Sequence, residues 1–248
     1  ITNGADIVDT NAGNDIINLS SAAASIDGDG GSDTLNVDAA LDLSSTTLSN
    51  IETININENT DLSSKLAGAG SNSVVVAGGK TLTILDSDAD GITITGTGNT
   101  TVIMSGNSSA DLSNIATSGT NTLSVTGSGT FSGTLNGFAV VVQDAQTLTL
   151  ASSIANNATI TSSGAGLNNG STVVSNLHST LAADLSAITT NGGVTTNFDA
   201  TATFTGDLGN AAVTVGNTFV MSSDFDVLEN KTINGTGTGT VNVLIDAN

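Results

Sequence analysis

The chain opens on a nine-residue rhythm that leaves little freedom in how it can fold. Asn3-Gly4-Ala5-Asp6-Ile7-Val8 is followed by Ala12-Gly13-Asn14-Asp15-Ile16-Ile17 and, after one lapsed copy, by Gly30-Gly31-Ser32-Asp33-Thr34-Leu35. Asp6, Asp15 and Asp33 hold one position of the repeat, Gly4, Gly13 and Gly31 a second, and Val8, Ile17, Ile26 and Leu35 a third. The lapsed copy falls on Ala22-Ala23-Ala24, where the polar loop is gone but Ile26 keeps the apolar position. A short glycine-and-aspartate turn followed by a short alternating run is a turn-plus-strand unit. Such a unit is too small to bury its apolar face alone and must stack on its neighbours.

Composition agrees with a thin, stacked core. Leu, Ile, Val and Phe make up about a quarter of the 248 residues, above the roughly 20% below which highly charged chains fail to fold. Aromatic residues are 2%, all of them Phe, and none precedes Phe131. There is no Cys, so disulfides, thiolate zinc sites and cysteine nucleophiles are excluded. The net charge is −20 and the three cations are Lys65, Lys80 and Lys231, with no Arg to neutralise phosphates, so a nucleic-acid partner is not expected. The longest apolar runs, such as Phe138-Ala139-Val140-Val141-Val142, are too short to span a membrane. No charged-then-apolar segment stands at the start of the chain, so a secretory signal is not expected within this sequence. It begins inside a motif and closes just after an apolar strand, Val241-Asn242-Val243-Leu244-Ile245, so a piece of something longer, or a processed chain, is expected.

The opening repeat resembles the glycine-rich nonapeptide of bacterial RTX proteins, G-G-x-G-x-D-x-(apolar)-x, which builds a parallel β-roll. The resemblance rests on residues 1–37, best on Gly28-Asp29-Gly30-Gly31-Ser32-Asp33-Thr34-Leu35. It departs from the family at the second and third positions of that copy, and the earlier copies lack the leading glycine pair. The family's geometry implies that loops two repeats apart stack on each other, so the Asp15 loop meets the Asp33 loop. The resemblance implies Ca²⁺ held there by Asn11, Gly13, Asp15, Gly31 and Asp33, hard oxygen donors suited to that ion. Asp6 faces residue 24, an alanine, and is expected to form a half-site completed from upstream.

A second acidic segment, Asp86-Ser87-Asp88-Ala89-Asp90-Gly91, spells D-x-D-x-D-G, the front half of an EF-hand-type calcium loop. Its twelfth position is Thr97 and its flanks, Thr81–Ile84 and Ile92–Thr95, read as strands, so an EF-hand is excluded. A weaker loop site with Asp86, Asp88 and Asp90 on one concave face, or a solvated acidic turn, are the two readings left.

Behind residue 73 the period lengthens. Val74-Val75-Val76 and Thr81-Leu82-Thr83-Ile84 recur, with the same offset between them, as Val140-Val141-Val142 and Thr147-Leu148-Thr149-Leu150. Ala110-Asp111-Leu112-Ser113-Asn114-Ile115 recurs as Ala183-Asp184-Leu185-Ser186-Ala187-Ile188, and Thr130-Phe131 as Thr203-Phe204, both at one common, slightly longer spacing. The organisation expected is a β-roll at 1–37, a connecting segment at 38–73, repeat units at 74–146 and 147–217, and a partial unit at 218–248. Alternation such as Leu82/Ile84 and Leu123/Val125, with Thr on the other face and Asn-Gly turns between, predicts an all-β chain. A repetitive β-solenoid or β-roll with parallel-stacked strands fits serial similar repeats better than a closed barrel. Helix is confined to single turns, expected around Ser64-Lys65-Leu66 and Leu181-Ala182-Ala183.

Catalytic constellations are missing: there is no G-x-S-x-G, H-E-x-x-H or phosphate-binding G-x-x-x-x-G-K, and the lone His178 sits in a polar Ser/Asn context. The segment Leu48-Ser49-Asn50-Ile51-Glu52-Thr53-Ile54-Asn55-Ile56 and the Asp-Leu-Ser repeats extend the resemblance to surface-layer proteins and giant adhesins exported by bacterial type I secretion. What this implies is an extracellular structural protein, not an enzyme, with calcium-dependent folding and self-assembly into a lattice or filament. A glycan-binding adhesin is the alternative, and a β-helical polysaccharide hydrolase using two carboxylates a remote one. Ice binding through Thr-x-Thr faces (Thr81/Thr83, Thr93/Thr95, Thr147/Thr149) is disfavoured by their irregular spacing.

Overall fold

Alternation decides the fold residue by residue. In Thr34–Val37, Leu35 and Val37 are fully buried while Thr34 and Asn36 stay half-exposed, and Thr53–Ile56 and Thr81–Leu85 repeat the pattern. Strands this short cannot bury a face alone, so each must lie on another of the same kind. The computed structural model describes residues 6–63, 66, 73–164 and 169–244, without the side chain of His178. The chain is all-β, and its strands stack in parallel, in register, as the coils of a β-solenoid. It divides into two units, Ile1–Met104 with Ala110–Leu123 and Ser105–Ser109 with Ser124–Asn248. The Ser64-Lys65-Leu66 turn lies, apart from Leu66, outside the described residues.

In the first unit the nonapeptides alternate between two sheets. Ile7–Asp9, Ser25–Asp27 and Thr47–Ser49 form one, and Ile16–Leu19, Thr34–Val37, Thr53–Ile56, Ser73–Val76 and Thr93–Gly96 the other. The registers Ile16↔Thr34, Thr34↔Thr53, Thr53↔Ser73 and Ser73↔Thr93 set coils of eighteen to twenty residues. Each interior position therefore stacks on its own kind: Ile17, Leu35, Ile54, Val74 and Ile94 form one aliphatic column, Leu19, Val37, Ile56 and Val76 the next. Outside, Asn36 donates to Asn18 and Asn55 to Asn36, each at 2.8 Å, an amide ladder that parallel in-register stacking makes available.

Coil length varies more in the second unit. Registers run from Thr195↔Ala212 to Ile160↔Ile188, seventeen to twenty-eight residues. Its core is closely packed with aromatic as well as aliphatic side chains. Phe131, Phe198 and Phe204 are fully buried there, and Phe138 nearly so, whereas the first unit contains no aromatic residue. The Thr-x-Thr pairs at 81/83, 93/95 and 147/149 fall on three different sheets, so they build no common face.

Corners carry their own chemistry. In Asp42-Leu43-Ser44, Asp61-Leu62-Ser63, Asp111-Leu112-Ser113 and Asp184-Leu185-Ser186 the Asp Oδ1 accepts the N–H two residues on, at 2.9–3.0 Å, and each Leu is buried. Asp207 does the same for the Gly209 N–H at 2.7 Å. The Asp-Leu-Ser repeat is thus an Asx-turn that points a leucine into the core. Among the described residues, helix beyond Leu66 is limited to single turns at Asp86–Ala89, Ser152–Ala155 and Phe225–Leu228, which we number α1 to α3, and a 3₁₀ turn at Leu177–Ser179. The expected turn at 181–183 is not helical, because the 3₁₀ turn just before it has already redirected the chain and the Ala183 N–H closes on the Thr180 carbonyl.

These corners are acid-sensitive in a definite sense. The Ser44 hydroxyl, then its N–H, hold the Asp42 carboxyl below its ordinary 3.8, and Ser186 does the same to Asp184. A carboxylate whose pKa is lowered on folding stabilises fully above its unfolded value, and that contribution is lost as pH falls through the folded value. The D42A/D184A double variant is therefore expected to be less stable than the parent at neutral pH. The difference should shrink as pH is taken below 3.8. Denaturant midpoints across that range check it.

Candidate metal centre

The nonapeptide loops lie directly on one another. The first, residues 11–15, turns at Asn11 with φ 61°, and the second, residues 29–33, at Asp29 with φ 59°. Each turn is fixed from behind by an aspartate: Asp9 accepts the Asn11 N–H at 3.1 Å and Asp27 the Asp29 N–H at 3.0 Å. The Asp29 N–H, then the Asn50 amide, hold the Asp27 carboxyl below its ordinary range. Between the loops, the Gly13 N–H donates to the Gly30 carbonyl at 2.7 Å and the Ser32 N–H to the Asn14 amide oxygen at 2.9 Å. Contact is so close that a Cβ on Gly31, whose φ is 151°, would stand 1.6 Å from the Gly13 carbonyl oxygen. Only glycine fits there.

The carboxylates form a column. The Asp15 N–H donates to Asp33 Oδ1 at 2.8 Å, and the Asp33 N–H donates to Glu52 Oε2 at 2.7 Å. One oxygen of Asp33 and one of Glu52 is thus taken up by the coil before it. Others are left over: Asp15 Oδ2 and Asp33 Oδ2 are buried and have no hydrogen-bond partner, and Asp33 as a whole is 1% exposed. An orphaned buried carboxylate oxygen costs more than a polar group left in water, and two acids one strand spacing apart, about 5 Å, repel. A hard cation bound by these oxygens and by loop carbonyls answers both penalties, so the donor set fits Ca²⁺. Three or more acid or imidazole groups do not converge anywhere among the described residues, so backbone oxygens would have to complete the shell.

The other expected ligands are placed as follows. Asn11 and Gly31 are exposed loop residues of the stack, as is Gly13. Asp6 is half-buried and its main-chain carbonyl accepts the Ala24 N–H at 2.8 Å, so the residue stacked on it brings no second carboxylate; residues 3–5 of its loop lie outside the described residues. Asp86, Asp88 and Asp90 are not gathered on one concave face. The segment Asp86–Ala89 is α1, in which residue i+2 points about 200° around the axis. Asp88 is accordingly buried at 5% exposure, while Asp90 is exposed and accepts the Asp111 N–H at 3.4 Å. Glu52, the third rung of the column, was not among the expected ligands; it lies 19 residues from Asp33, one off the eighteen-residue stacking distance of the repeat.

Gly31→Ala tests how tightly the stack is closed. The added methyl meets backbone, which cannot swing away, so the loops must part. The expected outcome is a fall in thermal midpoint well beyond that of Gly30→Ala, where a Cβ meets nothing within 4 Å. Scanning calorimetry of the two variants makes the comparison. No family model, curated protein or solved structure matches this chain.

Proposed function

We propose that this chain is a structural, extracellular protein whose repeats are consolidated by calcium and which assembles with copies of itself, in the manner of bacterial surface layers and filaments. The observation that carries the reading is the pair of buried, unpartnered oxygens on Asp15 and Asp33, stacked coil on coil. Calcium supplies a divalent charge there. Asp15 and Asp33 offer it their free oxygens, while Gly31 lets the loops approach closely enough to share it. A net charge of −20 makes the apo chain self-repelling, so cation binding and folding are coupled. Thermodynamically, whatever binds the folded form alone stabilises it by mass action. The in-register solenoid supports a scaffold role, because stacked coils give length and rigidity, and the residue inventory offers little for acid–base chemistry. The proposed location, outside the cell, follows from the same need for abundant calcium.

Adding Ca²⁺ to chelated protein tests this. Far-UV circular dichroism and the thermal midpoint are followed while electron microscopy looks for filaments or sheets. The expected result is a calcium-dependent rise in midpoint, blunted in D15A and D33A, with ordered assemblies only when calcium is present. A protein equally stable and monodisperse in chelator and in millimolar calcium would overturn the reading.

A further inference from the structure

The longer repeat carries the same pair of turns twice in the second unit: the first pair frames an open groove, and the place of the second groove is occupied by a lysine of the chain itself. The first groove lies between the corner 133–138 and residues 153–159 around α2, and has a volume of about 410 Å³. One long repeat further on, the corner 206–211 and residues 226–232 around α3 carry the same backbone turns at the same positions. Asn136 and Gly209 both turn with positive φ, 47° and 55°, and Asn157 and Asn230 do likewise, at 58° and 60°. The Phe138 N–H closes on the Leu135 carbonyl at 2.9 Å, as the Ala211 N–H does on Leu208 at 3.0 Å. The Ala158 N–H closes on the Ala155 carbonyl at 3.0 Å, as the Lys231 N–H does on Leu228 at 3.1 Å.

What differs is the side chain at the mouth. Lys231 reaches across the second groove and its Nζ donates to the Gly209 carbonyl. In the first groove the same position is Ala158, and the cavity stays open. The carbonyl equivalent to Gly209's belongs to Asn136, and a carbonyl oxygen has two lone pairs. Leu135 and Phe138, both nearly buried, line the wall where an alkyl stem would lie, and Thr134, Asn156 and Thr159 supply further oxygens.

We propose that the groove at 133–138 and 153–159 binds a primary ammonium group on an aliphatic stem, the chemistry of a lysine side chain or a free alkylamine, in the place that Lys231 fills intramolecularly one repeat later. The site is unrelated to the Asp15–Asp33 loops and does not rest on calcium being bound there. Recognition is by hydrogen bonding more than by charge. Thr134 and Asn156 stand where the second groove has Asp207 and Glu229, so a tethered lysine is held more strongly there than a free one here.

The test is NMR titration of the ¹⁵N-labelled chain in calcium-containing buffer, with four probes. Nα-acetyl-lysine methylamide and butylammonium carry the proposed group. The trimethylated lysine amide keeps the charge without an N–H, and the norleucine amide keeps the stem without the charge. The two primary amines are expected to shift the amides of Asn136, Gly137 and Ala158, and the other two probes are not. Tighter binding of the lysine amide than of butylammonium assigns a protein lysine as the occupant, and equal binding a free amine. In Ala158→Lys the groove should be filled from within and the response lost by at least about tenfold in affinity. In Lys231→Ala a second responding set should appear around Gly209. No response to either amine at millimolar concentration, or equal response to the trimethylated or norleucine probe, overturns the proposal. So does an unchanged response in a folded Ala158→Lys chain; should that variant not fold, Lys231→Ala decides alone.

Discussion

Parallel in-register stacking is the constraint from which the rest follows: each residue meets the residue one coil away, at the strand spacing of about 4.8 Å. Like is therefore set against like. For Ile54 between Leu35 and Val74 this is favourable, since every rung adds apolar burial without any change of shape. For Asn36 between Asn18 and Asn55 it is favourable too, because an amide is both donor and acceptor and its own copy satisfies it. For a carboxylate it is unfavourable, because the copy offers only a second acceptor of the same charge. The chain has many more acids than bases, so its architecture is largely an account of where those acids go.

Many go to the corners. Asp42 and Asp61 are register partners, as are Asp9 and Asp27, yet each of the four accepts a backbone N–H two residues ahead and sits at the solvent-facing edge. The carboxylate there takes over an N–H that the turn would otherwise leave unmet, which is why aspartate and not glutamate recurs. Water screens the repulsion between rungs. Lys80 pairs with Glu58 at 2.6 Å, both part-exposed, a pair of modest worth by itself. Asp15 and Asp33 differ: their spare oxygens are buried without a hydrogen-bond partner, beyond the reach of that screening.

Much of this was legible in the sequence because it is periodic. The nine-residue period behind Asp15 and Asp33 and the alternation of Val, Ile and Leu with Thr fix both the strands and their stacking, since a solenoid translates sequence period directly into spatial neighbourhood. Glu52 was hidden because its distance from Asp33 is not a multiple of that period and because it lies inside the mixed polar and apolar segment Leu48–Ile56, where the glycine loop has disappeared. The D-x-D-x-D-G segment misled for a different reason. α1, α2 and α3 have the sequences Asp-Ser-Asp-Ala, Ser-Ser-Ile-Ala and Phe-Asp-Val-Leu, with nothing acidic in common. What they share is a buried fourth residue, Ala89, Ala155 or Leu228, and a left-handed residue two places beyond the helix, Gly91, Asn157 or Asn230. The turn belongs to the repeat, and the aspartates of α1 ride on a helix that would form without them.

The same comparison explains why variation between repeats carries more information than the repeats do. A solenoid coil is over-determined: its interior column, its corner leucine and its left-handed turns are imposed by the coils above and below. Substitutions tolerated within that frame fall on the surface or within one rung of the core, and each is a local experiment on an otherwise constant backbone. Ala24 in place of an aspartate removes one rung of the acidic column at Asp6 without breaking the strand register Ile7↔Ser25. Ala158 in place of Lys231's equivalent opens a groove without altering either flanking turn. Phe131, Phe198 and Phe204 bring aromatic rings into the core of the second unit, and the parallel pairing continues through them. Because the frame absorbs these changes, chemistry can be added or deleted at one coil at a time, with neither stability nor register demanding that its neighbours follow.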